Sequence, residues 1–407
     1  MAQLSKGSVV AGRYVIDSNG CIAQGNYAQV YRAKDPEAGG DGLVAIKVEV
    51  LPSKEARPLL RSEADVLRFL QGLPGIPKFI DLGESDDAGC FMVLELLGED
   101  LGAALSRVPR FSPAATAFLG MQMLETVRSI HERGLLHRDI KPNNFLLGRH
   151  QGTHLNVSIV DFGLVRRHLE QDGRPRPKRQ GCDFRGTTRY ASAAVHSRED
   201  QGRVDDLWSL LYALLEMCVG SLPWSFYKSR ANMLPEAKKE AKIRVLEEKR
   251  KLLQEARVSQ RKPSQYMRQV PVPLALFMRV LGDLSYADRP PYESLMELLC
   301  RMGDEDERHD AAEEELYPGQ TFDHAESSES PHRQLAKQPE EVEYQDEEEE
   351  EEEDYEDEHE DDERHDEAPK EHEVAEEEEE EELQQEEEQV VDDEVEAEAE
   401  VDDEVEA

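Results

Sequence analysis

His137-Arg138-Asp139-Ile140-Lys141-Pro142-Asn143-Asn144-Phe145, followed by Ile159-Val160-Asp161-Phe162-Gly163, is the stretch on which the reading of this 407-residue chain turns. Working outward, further segments stand around it in a fixed order. CIAQGNYAQVYRAKD (residues 21–35), VAIKVEV (44–50) and SEADVL (62–67) come before it, and GTTRYAS (186–192) comes after. Any single piece of this kind arises by chance. Several in one order, each on a strand or loop of matching type, do not.

The surrounding pattern supplies those strands and loops. Short β-rich runs separated by turn residues predict strands over 13–16, 28–33, 44–51 and 91–96. Between them, residues 55–71 set Leu59, Leu60, Ala64, Leu67 and Leu70 at mostly three- and four-residue spacing, which predicts an amphipathic helix ended by Gly72, Pro74 and Gly75. From Phe111 onward long helices take over. Ser112-Pro113 reads as an N-cap followed by proline at the first helical position, and Gly134 falls just past the last turn. A second apolar helix over 206–219 is stopped by Gly220 and Leu222-Pro223. The order is a strand-rich lobe, a hinge near 95–98 and a helix-rich lobe.

Residues 235–257 are rich in helix formers with interleaved charge, and Ile243, Val245, Leu246, Leu252 and Leu253 make only a narrow apolar stripe. A surface helix laced with ion pairs is the expectation, a basic docking arm for an acidic partner the other reading. Trp208 and Trp224 read as packing residues.

Charge divides the chain in two. Residues 303–407 hold 54 Asp and Glu against 5 Lys and Arg, a net of −49, whereas residues 1–302 hold 36 against 43, a net of +7, within the total of −42. The tail has too few apolar residues to offset its chain entropy and is expected to be disordered. The mildly basic body gives nucleic-acid binding no support beyond local patches. The start shows no apolar segment of a secretory signal, and no run of about 18 apolar residues suggests a bilayer span. Five scattered cysteines without a CxxC pair fit reduced thiols in the cytosol or nucleus. A monomer is expected.

The ordered segments resemble the signature set of protein kinases. The resemblance implies an α+β, two-lobed fold: a β-rich N-lobe and an α-rich C-lobe followed by the acidic tail. The boundaries read as an N-terminal extension at 1–12, a kinase domain at 13–302 and the tail at 303–407. Within the domain the N-lobe covers 13–97 and the C-lobe 98–302, with a basic helical extension at 225–272. The activity implied is transfer of the γ-phosphate of ATP, with Mg²⁺, to protein Ser or Thr hydroxyls.

Phosphoryl transfer needs a held nucleotide, offset phosphate charge and an aligned hydroxyl. Lys47 would supply a cation to the α and β phosphates, with Glu63 as its partner; Glu55 and Asp65 fit the helix register less well. Asp161 and Asn144 offer oxygen to Mg²⁺, a hard cation. Asp139 would accept the proton of the substrate hydroxyl or orient it, and Lys141 would touch the migrating phosphate. By resemblance, Thr187 would hydrogen-bond Asp139 and Lys141, Asp206 would brace the catalytic loop, and a Lys at 141 marks the Ser/Thr class.

Adenine would sit between Val30, Ala45 and Leu146, with Leu94 behind it and the backbone of Glu95 and Leu97 at the hinge. The glycine-rich loop departs from the family pattern. After Ile22 it runs Ala23, Gln24, Gly25, Asn26, Tyr27, Ala28, Gln29, Val30, so only the central glycine remains, and the alanines narrow the approach to the nucleotide.

Most kinases carry an Ala-Pro-Glu motif after the activation segment, and this chain has RYASAAVH there. With HRDIKPNNF, FRGTTRYAS and DDLWSL, that region resembles the casein kinase one superfamily, most closely its tau-tubulin kinase branch. The resemblance covers about residues 10 to 300, departing in the loop alanines, at Ala193-Ala194 and in 225–272.

Arg166, Arg167, Arg174, Arg176, Lys178, Arg179, Arg185 and Arg189 make the activation segment basic, which should attract anions. Acidic or already phosphorylated protein substrates, or the chain's own tail, are the partners that follow. The alternative function is a pseudokinase scaffold whose acidic tail recruits basic proteins.

Overall fold

The computed structural model describes residues 4–18, 20–25, 28–50, 59–85, 88–149, 156–170, 172–227, 234–258, 263–303, 308 and 315–316. Asn26 and Tyr27 of the loop, and the acidic tail apart from Gly303, Arg308, Glu315 and Leu316, lie outside the described residues.

The first lobe is one antiparallel sheet. Its strands are β1 (Val9–Val10), β2 (Tyr14–Ile16), β3 (Ala23–Gln24), β4 (Ala28–Lys34), β5 (Leu43–Glu49), β6 (Phe79–Ser85) and β7 (Gly89–Glu95). They run in the order β1-β2-β4-β5-β7-β6, with β3 folded back on β4. Strand β1 pairs with β2 and so begins the sheet before the expected start at residue 13.

Alternation does the work here. Val44, Ile46 and Val48 of β5 are buried in a cluster with Tyr14, Tyr31, Phe91 and Val93, while the intervening Ala45 and Lys47 face the other side, only half-covered. Helix α1 (Leu60–Leu70) packs beside the sheet, burying Leu60, Glu63, Ala64, Leu67 and Leu70. It has no side-chain cap of its own. Glu49, at the end of β5 and buried, accepts the Leu59 and Leu60 amides at 2.6 and 3.0 Å, satisfying two N–H groups that a helix start leaves unpaired.

The second lobe is helical. α2 (Leu101–Arg107) is N-capped by Asp100, and α3 (Pro113–Glu132) by Ser112, whose hydroxyl accepts the Ala115 amide at 3.1 Å. Two short antiparallel pairs lie against α3: β8 (Leu135–Leu136) with β11 (Arg166–Arg167), and β9 (Phe145–Leu147) with β10 (Val157–Ile159). They fix the two ends of the catalytic loop. α4 (Ala193–His196), α5 (Arg203–Val219), α6 (Pro235–Arg257), α7 (Val272–Gly282) and α8 (Tyr292–Cys300) follow.

α5 is buried along nearly all its length and ends at Gly220, whose φ of +89° and close approach to the Pro109 carbonyl admit no Cβ. Helix α6 is a surface helix with ion pairs such as Arg244–Glu240 and Lys251–Glu248, and its narrow buried stripe includes a lysine. Ile243 is half-exposed, but Val245, Lys249 and Leu252 are buried against the lobe. Trp224 is fully buried and Trp208 packs at the rim of the same core.

The body also runs past Met302. Leu316 is buried, and the Glu315 carboxylate accepts the Ser112 amide at 3.0 Å. Among the described residues no helix is long and apolar enough to cross a membrane.

Candidate active site

Between the lobes, β5 and α1 present the first charged pair. Lys47 Nζ lies 2.6 Å from both carboxylate oxygens of Glu63 and 3.3 Å from Asp161 Oδ1. Burial alone would lower the lysine, but the two carboxylates outweigh it and hold Lys47 above its usual value. Asp161 answers in kind: burial favours its neutral form, and the charges of Lys47, His137 and Lys141 pull it below the ordinary carboxylate range. Glu55 lies outside the described residues; Asp65, on the exposed side of α1, pairs with Arg68.

The second group sits in the loop between β8 and β9. Asp139 Oδ1 accepts the Thr187 hydroxyl at 2.7 Å, and Oδ2 accepts Lys141 Nζ at 2.5 Å. Lys141 Nζ also reaches Thr187 Oγ1 at 3.3 Å. Asn144 Nδ2 donates to the Asp139 carbonyl at 2.8 Å and to Asp139 Oδ2 at 3.3 Å, which leaves Asn144 Oδ1 as the oxygen available to a cation.

The loop is unusual in backbone. Arg138 and Asp161 both adopt left-handed φ, 65° and 69°, costly conformations for residues with a Cβ. Gly186 is obligatory opposite them, at φ +99° with the Arg138 carbonyl 2.5 Å from where a Cβ would stand.

What holds this strained loop is Asp206, buried at the start of α5. Its Oδ2 accepts the His137 amide at 2.8 Å and His131 Nε2 at 2.9 Å, and its Oδ1 accepts the Arg138 amide at 2.8 Å. Burial opposes its charge, yet these donors keep it below the usual carboxylate value. Adjacent Asp205, equally buried but facing Ser192 and the Gly202 amide, is pushed up to about 6, chiefly by burial. Identical side chains one residue apart thus end on opposite sides of the ordinary value, because the donors outweigh burial at Asp206 and burial outweighs the donors at Asp205.

Val30, Ala45, Leu94, Leu97 and Leu146 are all partly covered, while their neighbours Val44, Ile46, Val93 and Leu147 are buried. Ala45 pairs with Leu94, and Val30 with Lys47, so an apolar wall adjoins the ion pair. Glu95 is anchored to Lys78 by amide and carboxylate, and Ile22 is exposed on the approach to the loop.

In that loop Ala23 pairs with Val30, and the Gly25 amide donates to the Ala28 carbonyl at 2.8 Å. Neither alanine has positive φ, and a Cβ on Gly25 would meet only the Ala28 carbonyl at 3.7 Å. The alanines therefore sit without strain.

The basic activation segment is not a bank of free cations. Asp200, buried, accepts Arg166 at 2.5 Å and Arg179 at 3.3 Å. Lys178 pairs with Glu199, and Arg189 with Glu216. Arg138, in the catalytic loop, faces the same cations. Its guanidinium donates to the Leu164 carbonyl, and burial together with Arg166 and Arg185 lowers it to about 10.

Sequence reasoning missed Asp200, Glu49 and Lys249. The signal for Glu49 was its place two residues after Lys47 on one strand. For Lys249 it was its position on the stripe through Val245 and Leu252.

Asn144 and Asp161 fit Mg²⁺ in donor type, one amide oxygen and one half-exposed carboxylate. Among the described residues no group of three or more His, Cys, Asp or Glu could hold a metal alone.

A strand-rich lobe presenting a lysine–glutamate pair over a helical lobe with an Asp-Lys-Asn-Thr cluster holds the charged groups that phosphoryl transfer from a nucleotide requires. The model of the protein kinase domain matches residues 17–309, and the chain belongs to that family. It is 35% identical over 295 residues to a probable serine/threonine-protein kinase of Dictyostelium discoideum, covering 72% of this chain and 54% of that protein. It is 32% identical over 301 residues to a putative serine/threonine-protein kinase of Caenorhabditis elegans, covering 73% and 79%. The chain thus spans about half the length of the Dictyostelium relative.

Proposed function

We propose that this protein is a serine/threonine kinase that transfers the γ-phosphoryl group of ATP to protein hydroxyls. The observation that carries the reading is the Asp139 carboxylate, held between Lys141 and Thr187, in a lobe whose Asp161 is reached by the Lys47 of the Lys47–Glu63 pair. Lys47, charged and fixed by Glu63, binds the phosphates. Asp139 takes or orients the proton of the acceptor hydroxyl as its oxygen bonds to phosphorus and the bond to the ADP oxygen breaks. Lys141 offsets charge on the transferred group. Asn144 and Asp161 would hold Mg²⁺, which when bound neutralises phosphate charge and orients the chain of phosphates.

The finer assignment is to the casein kinase one superfamily, nearest the tau-tubulin kinase branch. It draws on the Asp-Asp-Leu-Trp start of α5 and on RYASAAVH in place of Ala-Pro-Glu. No Ser, Thr or Tyr occurs between Gly163 and Thr187, so the segment has no hydroxyl to phosphorylate before Thr187. Asp200 stands between Arg166 and Arg179 as a built-in anion, in keeping with a kinase that demands no loop phosphorylation.

For substrates, the same basic face favours acidic or already phosphorylated proteins. The acidic tail, tethered at high local concentration, competes for it in a salt-sensitive way.

The test is phosphate transfer from Mg-ATP by the full chain and by residues 1–340, with an acidic and a basic protein substrate and Asp161→Asn as control. Transfer lost in the control supports the enzyme. No transfer and no nucleotide binding would return the scaffold reading, which otherwise draws only on the loop alanines. Equal activity of both chains from low to high salt would remove the tail's inhibitory role.

A further inference from the structure

The side chain of Lys249, in the middle of α6, is 1% exposed, and no carboxylate of the described residues neutralises it. A buried amine is costly unless every proton is used. Here they are. Nζ lies 2.9 Å from the Thr188 carbonyl, 2.5 Å from the Ala191 carbonyl and 3.0 Å from His196 Nε2. The rings of Tyr212 and Trp224 stand 5.1 and 5.2 Å away and favour a cation. The same three contacts serve either protonation state. An ammonium donates to all three atoms; an amine donates to the carbonyls and accepts from His196.

The two carbonyls bracket the turn that follows Thr187. Within that turn the Tyr190 and Ala191 amides donate back to the Thr187 carbonyl at 2.9 Å. Trp224 Nε1 donates to the Arg189 carbonyl at 2.8 Å, and the Tyr190 hydroxyl is bonded to Glu216. Thr187 in turn holds Asp139 and Lys141. Any acceptor hydroxyl must come within reach of Asp139, so the main chain just after Thr187 borders the acceptor.

We propose that Lys249 is a positioning residue for phosphoryl transfer, fixing through the Thr188 and Ala191 carbonyls the loop that sets Thr187 and borders the acceptor substrate. This rests on the kinase reading above for its consequence, though not for its geometry. It gives α6 a task that neither a solvated helix nor a docking arm would have. The chain lacks an Ala-Pro-Glu segment, and an amine from a later helix grips the backbone there.

The experiment compares Lys249→Met with the unsubstituted full chain. Met keeps the volume and apolar stem and removes all three contacts. The expected result is a rise of about tenfold in KM for a protein substrate, matching the loss of a site's oriented contacts, with KM for ATP within about twofold. Amide hydrogen exchange at Tyr190 and Ala191 should quicken by about tenfold while α5 stays protected.

A purely structural role would instead lower kcat in step with the folded fraction and leave both KM values alone, and that result overturns the proposal. Unchanged exchange at Tyr190 and Ala191 overturns it too, whether or not the chain transfers phosphate. An inactive but normally exchanging parent chain would sink the kinase reading alone, and exchange would still decide the role of Lys249. Should Lys249→Met not fold, Lys249→Gln keeps two donors on a shorter arm and should give the same split at smaller size.

Discussion

The helix that carries Glu63 and the turn that follows Thr187 are each gripped from outside by a buried polar side chain, one accepting from amides and the other donating to carbonyls. At α1, the Glu49 carboxylate accepts two helix amides, and Lys47 reaches across to Glu63. On the other side, Lys249 donates to carbonyls, Trp224 and Glu216 add further bonds, and Asp206 locks the catalytic loop through two amides and a histidine. On the nucleotide-facing side, α1 packs its apolar face into the core, and the Lys47–Glu63 pair is the charged link between α1 and β5. The acceptor-facing half is over-determined, as the left-handed Arg138 of its catalytic loop requires. Substrate geometry thus rests on several independent bonds to one turn, and nucleotide geometry, which depends on a pair bridging two elements, is expected to be the more adjustable part.

The largest effects should fall on the chemistry itself, where both halves meet. Asp139→Asn should lower kcat by about 10³-fold, the scale of a lost general base, with KM for ATP little changed. A steady-state assay that found KM for ATP rising instead would break the division between halves.

Next is the brace. Asp206→Asn leaves two amides and His131 facing a poorer acceptor, and should cost about 3 kcal/mol, read by denaturant unfolding, with kcat falling alongside. The pH dependence sharpens this. Asp206 has its folded value below the unfolded one, so its contribution is present above about pH 4 and is lost as pH falls through the lower folded value. Asp205 is raised to about 6, so its protonated form favours the fold. That stability is present below about pH 4 and is lost as pH rises through 6. Asp205→Asn can keep both partners through its amide, and should raise Tm by about 3 °C above pH 7 and by nothing near pH 4. A Tm gain that does not shrink toward low pH would contradict the assignment of opposite shifts to neighbouring aspartates.

How much of this could be read in the chain depends on whether contacts are local or distant. The strands, α1 and α3 follow from periodicity and caps, since Ser112, Pro113 and Gly134 act on their own neighbours. Lys47, Asp139, Asn144 and Asp161 were legible because their chemistry demands fixed residue types at fixed spacing. Lys249 was not. In a helix full of Lys, Arg and Glu, one more lysine carries no mark until its stripe is seen to face the core. The activation segment misled for a related reason: its arginines announce positive charge, but Asp200, which neutralises two of them, comes after the segment has passed Thr187. The β1 strand and the Leu316 contact were lost because two-residue strands and single anchors leave no periodic signal.

The Glu49 cap of α1 predicts a smaller and more selective change. Glu49→Ala removes a cap worth about 1 kcal/mol, and α1 should then hold Glu63 less firmly against Lys47. KM for ATP should rise by about threefold to tenfold, on the scale of that cap, while KM for the protein substrate stays put. Glu49→Gln, which can still accept both amides, should recover most of the loss. Equal rises in both KM values would mean that α1 and the acceptor side move as one body, against the contrast drawn here.

The glycine-rich loop should matter least, despite being where the sequence departs most from its family. Ala23 and Ala28 adopt strand conformations without positive φ, so restoring glycine relieves no strain and adds chain freedom to the unliganded loop. The wider approach for phosphate and the added entropy cost of ordering pull in opposite directions. Ala23→Gly with Ala28→Gly should therefore move KM for ATP by no more than about threefold, within the 0.5–1 kcal/mol that a glycine costs in an ordered element. An ATP titration showing a tenfold gain in affinity would mean that the methyl groups obstruct the nucleotide directly, and would place the adjustable element in the loop and away from α1.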